Sequence, residues 1–363
     1  MRDLKLTELM LKSLQENPKL ASADEWHKAG DFAMDMRFFP HAFNCYRLSM
    51  ELEQNQEVIE KLDTVLDKIT NVLEHVPAVI KDSVEEIRLN NPLDPARWLQ
   101  FSNTLLKEEE QNEEAIKFSL AMTIYCALRS GVDVDPMNQT LVHFMDLPAV
   151  DERLLQNKVK LDNVEKVVAF GDNVTLGLQK NWEVNLEDVY HSLWQKELSF
   201  SQKISVANCG VSGAGILDGV LYLGRDVMNY KPDLVLLNFG INDAWLGPQV
   251  LLAYEALLEF TVNYLKLQGI QVAIIGPVPH IPSACSEEQR PSNINIEEIE
   301  IQGWNNVCMR VAQKTQVPFA NIVAKFPVLD QDRAKLFAND FNQPNLEGNK
   351  LIKDALLEIC EGV

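Results

Sequence analysis

The spacing of hydrophobic positions divides the chain into two regions. From the start to about Arg129, apolar residues return every three or four positions, which is the period of an amphipathic helix. Few β-branched runs and only occasional Pro or Gly residues interrupt this pattern. We therefore predict an all-helical domain over residues 1–150, followed by a linker that extends to about residue 163.

Two groups of large and small residues recur inside the helical region. The first group consists of Trp26, Ala29, Gly30, Ala42 and Tyr46. It resembles a tetratricopeptide repeat, in which a large aromatic ring and small residues allow two antiparallel helices to pack closely. The second, an imperfect copy, consists of Trp98, Phe101, Ser102, Leu105, Ala115 and Phe118. The two tryptophans are 72 residues apart, about two periods of roughly 34 residues, which leaves room for a degenerate unit over residues 57–91. The alternative is a plain helical bundle whose tryptophans are core residues.

From about residue 164, short apolar runs alternate with amphipathic stretches. The runs predict strands at Lys166 to Asp172, Ile204 to Ala207, Asp233 to Gly240, Gln271 to Gly276 and Val317 to Ile322. The stretches predict helices at Leu186 to Leu198, Ile216 to Tyr230, Val250 to Leu267, about Glu297 to Lys314, and Leu346 to Cys360. This alternation is typical of a parallel sheet wrapped by helices. We predict a flavodoxin-like, three-layer α/β domain over residues 164–363.

Composition and charge narrow the functional classes. The net charge of -20 argues against nucleic acid or an anionic membrane as the main partner, because both require a basic face. The start of the chain has no apolar segment of secretory length, and no run approaches the roughly 18 apolar residues of a membrane span. The cysteines are far apart and show no metal-binding or disulfide spacing; they are Cys45, Cys126, Cys209, Cys285, Cys308 and Cys360. We expect a cytoplasmic protein without a metal or another cofactor.

A turn rich in Gly or Asn follows each of the first three predicted strands. These turns contain Asn173, Gly213 and Asn242, and the carboxyl ends of parallel strands meet at one edge of a sheet. Gly213 can bring a backbone N–H close to a ligand, and the Asn242 amide can point toward developing negative charge. Taken singly, the third turn, Gly240-x-Asn242-Asp243, is more typical of an ordinary turn in which the Asn caps a helix.

The three turns, in this order, resemble the sequence blocks of the SGNH (GDSL-type) esterases from about Val164 to the end. The resemblance implies an oxyanion hole at Gly213 and Asn242, and a nucleophile at the position of Asn173, where the family has Ser. The last block of the family reads Asp-x-x-His. Here Asp340 is retained, but Gln343 stands in the position of the His.

Two carboxamides therefore replace the groups that handle the proton. An amide nitrogen is not nucleophilic at neutral pH, and glutamine has no basic site, so the acyl-enzyme route of the family cannot run. In serine hydrolases, the loss of a triad member leaves roughly 10³ to 10⁴ over water. The resemblance thus implies a degenerate hydrolase domain.

Other side chains keep an ester hydrolase with an unorthodox nucleophile open. Thr175, Ser212 and Cys209 lie near the same strand ends, and His280 follows the fourth predicted strand. Cys209 and His280 would form the most reactive pair if they met; otherwise they are a buried apolar residue and a loop residue. The other histidines show no ligand spacing and are predicted to be structural, namely His27, His41, His75, His143 and His191.

Three functional hypotheses follow. The first is a non-catalytic binding or scaffolding protein whose donor-rich crevice accepts a carboxylate, an acyl carbonyl or a carbohydrate hydroxyl. The second is the hydrolase with an unorthodox nucleophile. In the third, the helical domain binds a protein partner, and the α/β domain is only a folded platform.

Overall fold

The structure is a computed structural model of the chain. It describes residues 22–35, 42, 45–46, 49–50, 52–53, 55–70, 94–107, 112–129, 131–179, 183–199, 202–279, 301–338 and 343–362. Asp340, His280 and Cys285 lie outside these residues, as does most of the predicted degenerate unit at 57–91.

The α/β half is built on a parallel five-stranded sheet. Its strands are β1 (Lys166–Gly171), β2 (Ser205–Gly210), β3 (Leu234–Asn238), β4 (Gln271–Ile275) and β5 (Phe319–Ala320). The order is β2-β1-β3-β4-β5, and every neighbouring pair is parallel. The flavodoxin-like order that the alternating pattern predicted is confirmed.

Helices cover both faces of the sheet. Numbering starts in the amino-terminal half with α1 (Ala23–Asp35), α2 (Gln56–Thr70), α3 (Pro95–Leu105), α4 (Glu113–Arg129) and α5 (Asp135–Leu141). It continues with α6 (Asn173–Leu176), α7 (Tyr190–Leu198), α8 (Ile216–Asp226), α9 (Ile241–Ala244), α10 (Leu251–Leu267), α11 (Ile301–Thr315), α12 (Asp330–Arg333) and α13 (Leu346–Glu358). Right-handed crossovers place α7 and α13 on one face, where they pack together, and α8, α10 and α11 on the other.

The amino-terminal helices form a further layer outside α10. Helix α3 packs on α4, α4 packs on α10, and α2 contacts α8. The rings of Phe118 on α4 and Phe260 on α10 have centroids 4.5 Å apart, and Trp98 lies 5.9 Å from Phe118. One hydrophobic core therefore runs from this helical layer through α10 into the sheet.

Helix α4 is buried on nearly all sides. From Ala115 to Ala127 every residue except Lys117 is buried, and these buried residues are apolar or carry a single hydroxyl group. A helix that is apolar all round belongs inside a protein rather than on its surface. This segment is thus the central helix between α3 and α10.

The predicted repeat residues make the close contacts that the pattern requires. A Cβ atom on Gly30 would lie 2.3 Å from the ring of Tyr46, so the two helical segments approach because position 30 has no side chain. In the second group, the Ser102 hydroxyl donates to the Ser119 hydroxyl at 3.0 Å. Both groups are buried. The assignment to tetratricopeptide repeats stays a prediction.

The segment predicted as a linker is packed against the α/β half. Val159 and Leu161 are buried. Val159 pairs with Cys360 in a parallel bridge and accepts a hydrogen bond from the N–H of Glu361. The domain boundary near residue 163 remains a prediction, and the core is continuous across it. No helix among the described residues is long and apolar enough to cross a membrane.

Candidate functional site

The first turn of the site places Asn173 at the start of a one-turn helix. Strand β1 ends at Gly171, where a Cβ atom would lie 2.2 Å from the Asn238 carbonyl oxygen of β3. Asp172 then caps α6 by accepting a hydrogen bond from Val174 N at 2.9 Å. Asn173 is the first residue of α6 and is only 4% exposed.

The second turn follows β2 and depends on two glycines. A Cβ atom on Gly210 would lie 2.2 Å from Leu176 N, so this glycine allows the end of β2 to approach α6. Gly213 has a φ of 71°, a left-handed conformation that favours glycine, and it is exposed. Ala214 and Gly215 then lead into α8.

The third turn closes the crevice with the side chain of Asn242. Asn242 Nδ2 donates to Asn173 Oδ1 at 2.8 Å and to the Ala214 carbonyl oxygen at 3.0 Å. One carboxamide thus ties the turn after β3 to both of the other turns. The structure brings Asn173, Asn242 and the turn of Gly213 together at the carboxyl edge of the sheet.

Asp243, the next residue, is fully buried and holds the same turns from below. Its Oδ1 accepts hydrogen bonds from Ile216 N at 2.9 Å and from the Tyr125 hydroxyl at 2.7 Å. A Cβ atom on Gly215 would lie 2.5 Å from this oxygen, so a side chain at position 215 would displace the Asp243 carboxyl group. Tyr125 belongs to α4, so the helical layer supplies a residue to the base of the crevice.

Sequence reasoning did not identify Tyr125 as part of the site. The available signal was the run from Ala115 to Ala127, in which Lys117 is the only charged residue and which therefore indicates a helix buried between layers. A tyrosine in such a run needs a hydrogen-bond partner for its hydroxyl. The pattern could not show that the partner is Asp243, 118 positions further along the chain.

Gln343 lies in a segment that is tied to the turn of Asn173. The Gln179 amide donates to the carbonyl oxygens of Leu178, at 3.2 Å, and Pro344, at 3.3 Å, and Leu178 N donates to the Asn173 carbonyl oxygen at 3.1 Å. Gln343 itself is 9% exposed. Its Oε1 atom is buried and has no hydrogen-bond partner.

The buried carboxyl groups under the crevice have unusual electrostatics. Burial raises the pKa of Asp172 to about 8, its hydrogen bond from Val174 N opposes this shift, and the neighbouring charge of Asp243 adds to it. On the other side of α6, burial lowers the pKa of His191 to about 4. His191 Nε2 lies 3.0 Å from the Thr175 carbonyl oxygen, so this histidine packs as a neutral ring.

The alternative nucleophiles are all buried. Cys209 and Thr175 have no exposed surface, and Ser212 is nearly enclosed. The Thr175 hydroxyl lies 3.0 Å from the Tyr190 hydroxyl and donates to Asn238 Oδ1 at 3.4 Å. His280, the predicted partner of Cys209, lies outside the described residues. Among the described residues, no group of three His, Cys, Asp or Glu side chains could hold a metal ion.

Comparison with known proteins identifies the family of the α/β half. The model of the GDSL-like Lipase/Acylhydrolase family matches residues 169–351, just over half of the chain. A search of curated proteins found no match.

Several solved structures are similar to this half of the chain. A lipase/acylhydrolase from Enterococcus faecalis is 22% identical, with a TM-score of 0.45, and the alignment covers 53% of this chain and 94% of that one. A putative lipolytic protein of the G-D-S-L family from Desulfitobacterium hafniense is 20% identical, with a TM-score of 0.42, over 53% of this chain and 98% of that one. A catalytic mutant of Axe2, an acetylxylan esterase from Geobacillus stearothermophilus, is 21% identical, with a TM-score of 0.41, and the alignment covers 54% of this chain and 93% of that one.

Proposed function

The chain belongs to the GDSL-like lipase/acylhydrolase family, and from that premise we propose that it is a ligand-binding member that does not hydrolyse esters. Its crevice contains other hydrogen-bond donors that could hold a ligand, namely the Asn173 amide nitrogen and the backbone N–H of the exposed Gly213. It has carboxamides in place of the nucleophile and of the base.

The hydrogen bond from Asn242 to Asn173 is the observation that carries this proposal. In an oxyanion hole, the Asn242 amide would have to be available to an oxygen that develops negative charge. Here both of its amide hydrogens are already bound, one by Asn173 Oδ1 and the other by the Ala214 carbonyl oxygen. The carboxamide of Asn173 thus occupies the Asn242 N–H group that a reacting oxygen would need.

The environment of the other candidate groups supports the same proposal. An efficient nucleophile must be accessible and paired with a base. Thr175 and Cys209 are fully buried, and the hydroxyl of Thr175 is bound within the protein. Gln343 cannot accept a proton at neutral pH, so it leaves the nucleophile position without a base.

Hydrolysis of short-chain nitrophenyl esters tests the proposal. The native protein should show no hydrolysis above that of the buffer. The double substitution Asn173→Ser and Gln343→His should raise the rate by roughly 10² to 10⁴-fold, because it restores a hydroxyl and a general base to a sequence that retains Asp340. Adding Asn242→Ala to this variant should lower the rate again by about 10²-fold, since it removes an oxyanion donor.

Hydrolysis by the native protein that falls with Asn242→Ala would contradict the proposal and favour the unorthodox hydrolase. Substitution of Cys209, Ser212 and Thr175 in turn would then identify the nucleophile. The third hypothesis, a partner bound by the helical layer alone, is favoured by the close Gly30 and Tyr46 contact. It predicts partner binding that Asn242→Ala leaves unchanged.

A further inference from the structure

We propose that the crevice binds a neutral secondary amide group, such as an N-acyl group, in preference to an ester or a carboxylate. This inference rests on the proposed function, because a group that is recognised without being cleaved must be held by hydrogen bonds alone. A secondary amide carries one acceptor and one donor, and the proposal pairs the acceptor with Asn173 and the donor with Gln343.

The acceptor of the ligand would meet the amide nitrogen of Asn173. An Asn side chain has a carbonyl oxygen on one side and an NH₂ group on the other. Asn242 Nδ2 can only donate, so Asn173 must present its oxygen to Asn242 and its nitrogen in another direction. The structure shows no hydrogen bond from this nitrogen to another described residue.

The network also fixes the orientation of Asn242. Its amide is held by the Ala214 carbonyl oxygen, which can only accept. Gly213, the residue before Ala214, is exposed in the same turn and leaves its backbone N–H near this edge of the crevice. The family resemblance gives this N–H the role of a second donor to a ligand oxygen.

The donor of the ligand would meet Gln343. Its Oε1 atom is buried without a partner, which is unfavourable if nothing binds there. Gln179 joins the segment of Gln343 to the turn of Asn173 through main-chain carbonyl groups of both. A ligand N–H that donates to Gln343 Oε1 would remove this cost, whereas an ester oxygen or a carboxylate oxygen would not.

The charge around the crevice also favours a neutral ligand over an anionic one. The fully buried carboxyl group of Asp243 follows Asn242 in the chain, and the chain carries a net charge of -20. Neither Lys nor Arg is a hydrogen-bond partner of the crevice residues Asn173 and Asn242. An anionic ligand would therefore lack a compensating charge.

Three small probes of similar shape separate these possibilities. N-methylacetamide, methyl acetate and acetate share an acetyl methyl group, whose signal reports binding in ligand-detected NMR with the full-length protein. N-methylacetamide should bind saturably, with a Kd on the order of millimolar for so small a ligand. Methyl acetate should bind about tenfold more weakly because it lacks the N–H, and acetate should bind more weakly still.

Two matched variants test whether Gln343 causes the preference for the amide over the ester. Gln343→Met keeps the length and removes the acceptor, so it should abolish the difference between the amide and the ester. Gln268→Met changes an exposed glutamine beyond the carboxyl end of α10, at the opposite edge of the sheet, and should leave the difference intact.

Each other outcome has a defined consequence. Equal or tighter binding of methyl acetate or acetate would overturn the inference, and so would the absence of saturable binding of all three probes. A preference for the amide that survives Gln343→Met would also overturn it. Conversion of methyl acetate to acetate and methanol in the same sample would instead contradict the non-hydrolytic function, so the two failures are distinguishable.

Discussion

At the residue scale, an Asn and a Gln change what the crevice can do with a proton. A Ser and His pair moves a proton between two atoms, whereas two carboxamides only donate and accept hydrogen bonds. The hydrogen bond between Asn242 and Asn173 shows one consequence, since a former donor site is now satisfied from within the protein. Under the proposed function, the crevice recognises a ligand through hydrogen bonds but transfers no proton.

The buried carboxyl group of Asp172 predicts an unusual dependence of stability on pH. Burial raises its pKa in the folded protein to about 8, so the folded state binds more protons than the unfolded chain between the ordinary pKa and about 8. The free energy of unfolding should therefore fall as the pH rises through this window, by up to about 1.4 kcal/mol per pH unit. Asp172→Asn keeps the capping oxygen but cannot titrate, so this fall should disappear. Urea unfolding from about pH 5 to about pH 9 measures the difference between the two proteins.

Asp233 provides a control of opposite sign. The backbone N–H groups of Lys166 and Glu165 lower its pKa in the folded protein. The contribution of Asp233 to the free energy of unfolding is therefore present at neutral pH and is lost as the pH falls through the acid range. Asp233→Asn should leave the slope above about pH 5 unchanged. If Asp172→Asn retains the slope of the native protein, the buried carboxyl group is not its source.

At the scale of elements, the apolar runs were sufficient to predict the strands and their order. Strands β1 and β3 are enclosed by helices on both faces, which is why their sequences show continuous apolar runs. Strand β2 extends to Gly210, beyond the predicted end at Ala207, because pairing with β1 continues through Asn208 and Cys209. This pairing depends on the folded sheet and could not be predicted from the local sequence, which ends its apolar run at Ala207.

Helix starts were less predictable than strands. Helix α7 begins at Tyr190 rather than at the predicted Leu186. The Asn185 side chain accepts hydrogen bonds from the N–H groups of Glu187 and Asp188 and holds that segment in a turn. For the site, the sequence predicted that the three turns converge. It could not predict the bond between Asn242 and Asn173, because both are carboxamides whose orientations depend on the folded network.

The contact between α4 and the α9 turn predicts that the helical layer stabilises the crevice. Tyr125→Phe removes the hydroxyl that donates to Asp243, so the buried carboxyl group of Asp243 has one hydrogen-bond donor fewer. We expect a loss of about 1–3 kcal/mol in the free energy of unfolding, and faster amide hydrogen exchange in the turns around Gly213 and Asn242. Hydrogen exchange detected by mass spectrometry measures both turns directly.

A matched hydroxyl deletion distinguishes this effect from a general loss in the helical layer. The Tyr46 hydroxyl donates to Asp31 at the same distance of 2.7 Å, but the Asp31 side chain is 41% exposed and can bind water instead. Tyr46→Phe should cost less than about 1 kcal/mol and leave exchange in the crevice turns unchanged. Equal effects of both substitutions on the crevice would refute a specific role for Tyr125.

At the scale of the whole molecule, the amino-terminal helices and the α/β half share one core. Helix α10 is buried along most of its surface because the sheet covers one side and α4 covers the other. Its sequence is correspondingly largely apolar, and its two acidic residues, Glu255 and Glu259, pair with Arg310 and Lys314 of α11. In a free-standing three-layer domain, the outer side of α10 would face water and would be expected to be polar.

This arrangement predicts that residues 164–363 do not fold properly when they are produced alone. Removing α4 would expose the apolar side of α10 around Phe260, and an exposed apolar patch of this kind promotes association. We expect this fragment to aggregate, or to unfold without a cooperative transition, whereas a fragment that starts at Asp94 and keeps α3 and α4 should stay monomeric and unfold cooperatively. Light scattering and thermal unfolding monitored by circular dichroism measure the two properties. A soluble, cooperatively folded fragment 164–363 would instead mean that the predicted boundary near residue 163 separates independent domains, and that the shared core contributes little to the stability of the α/β half.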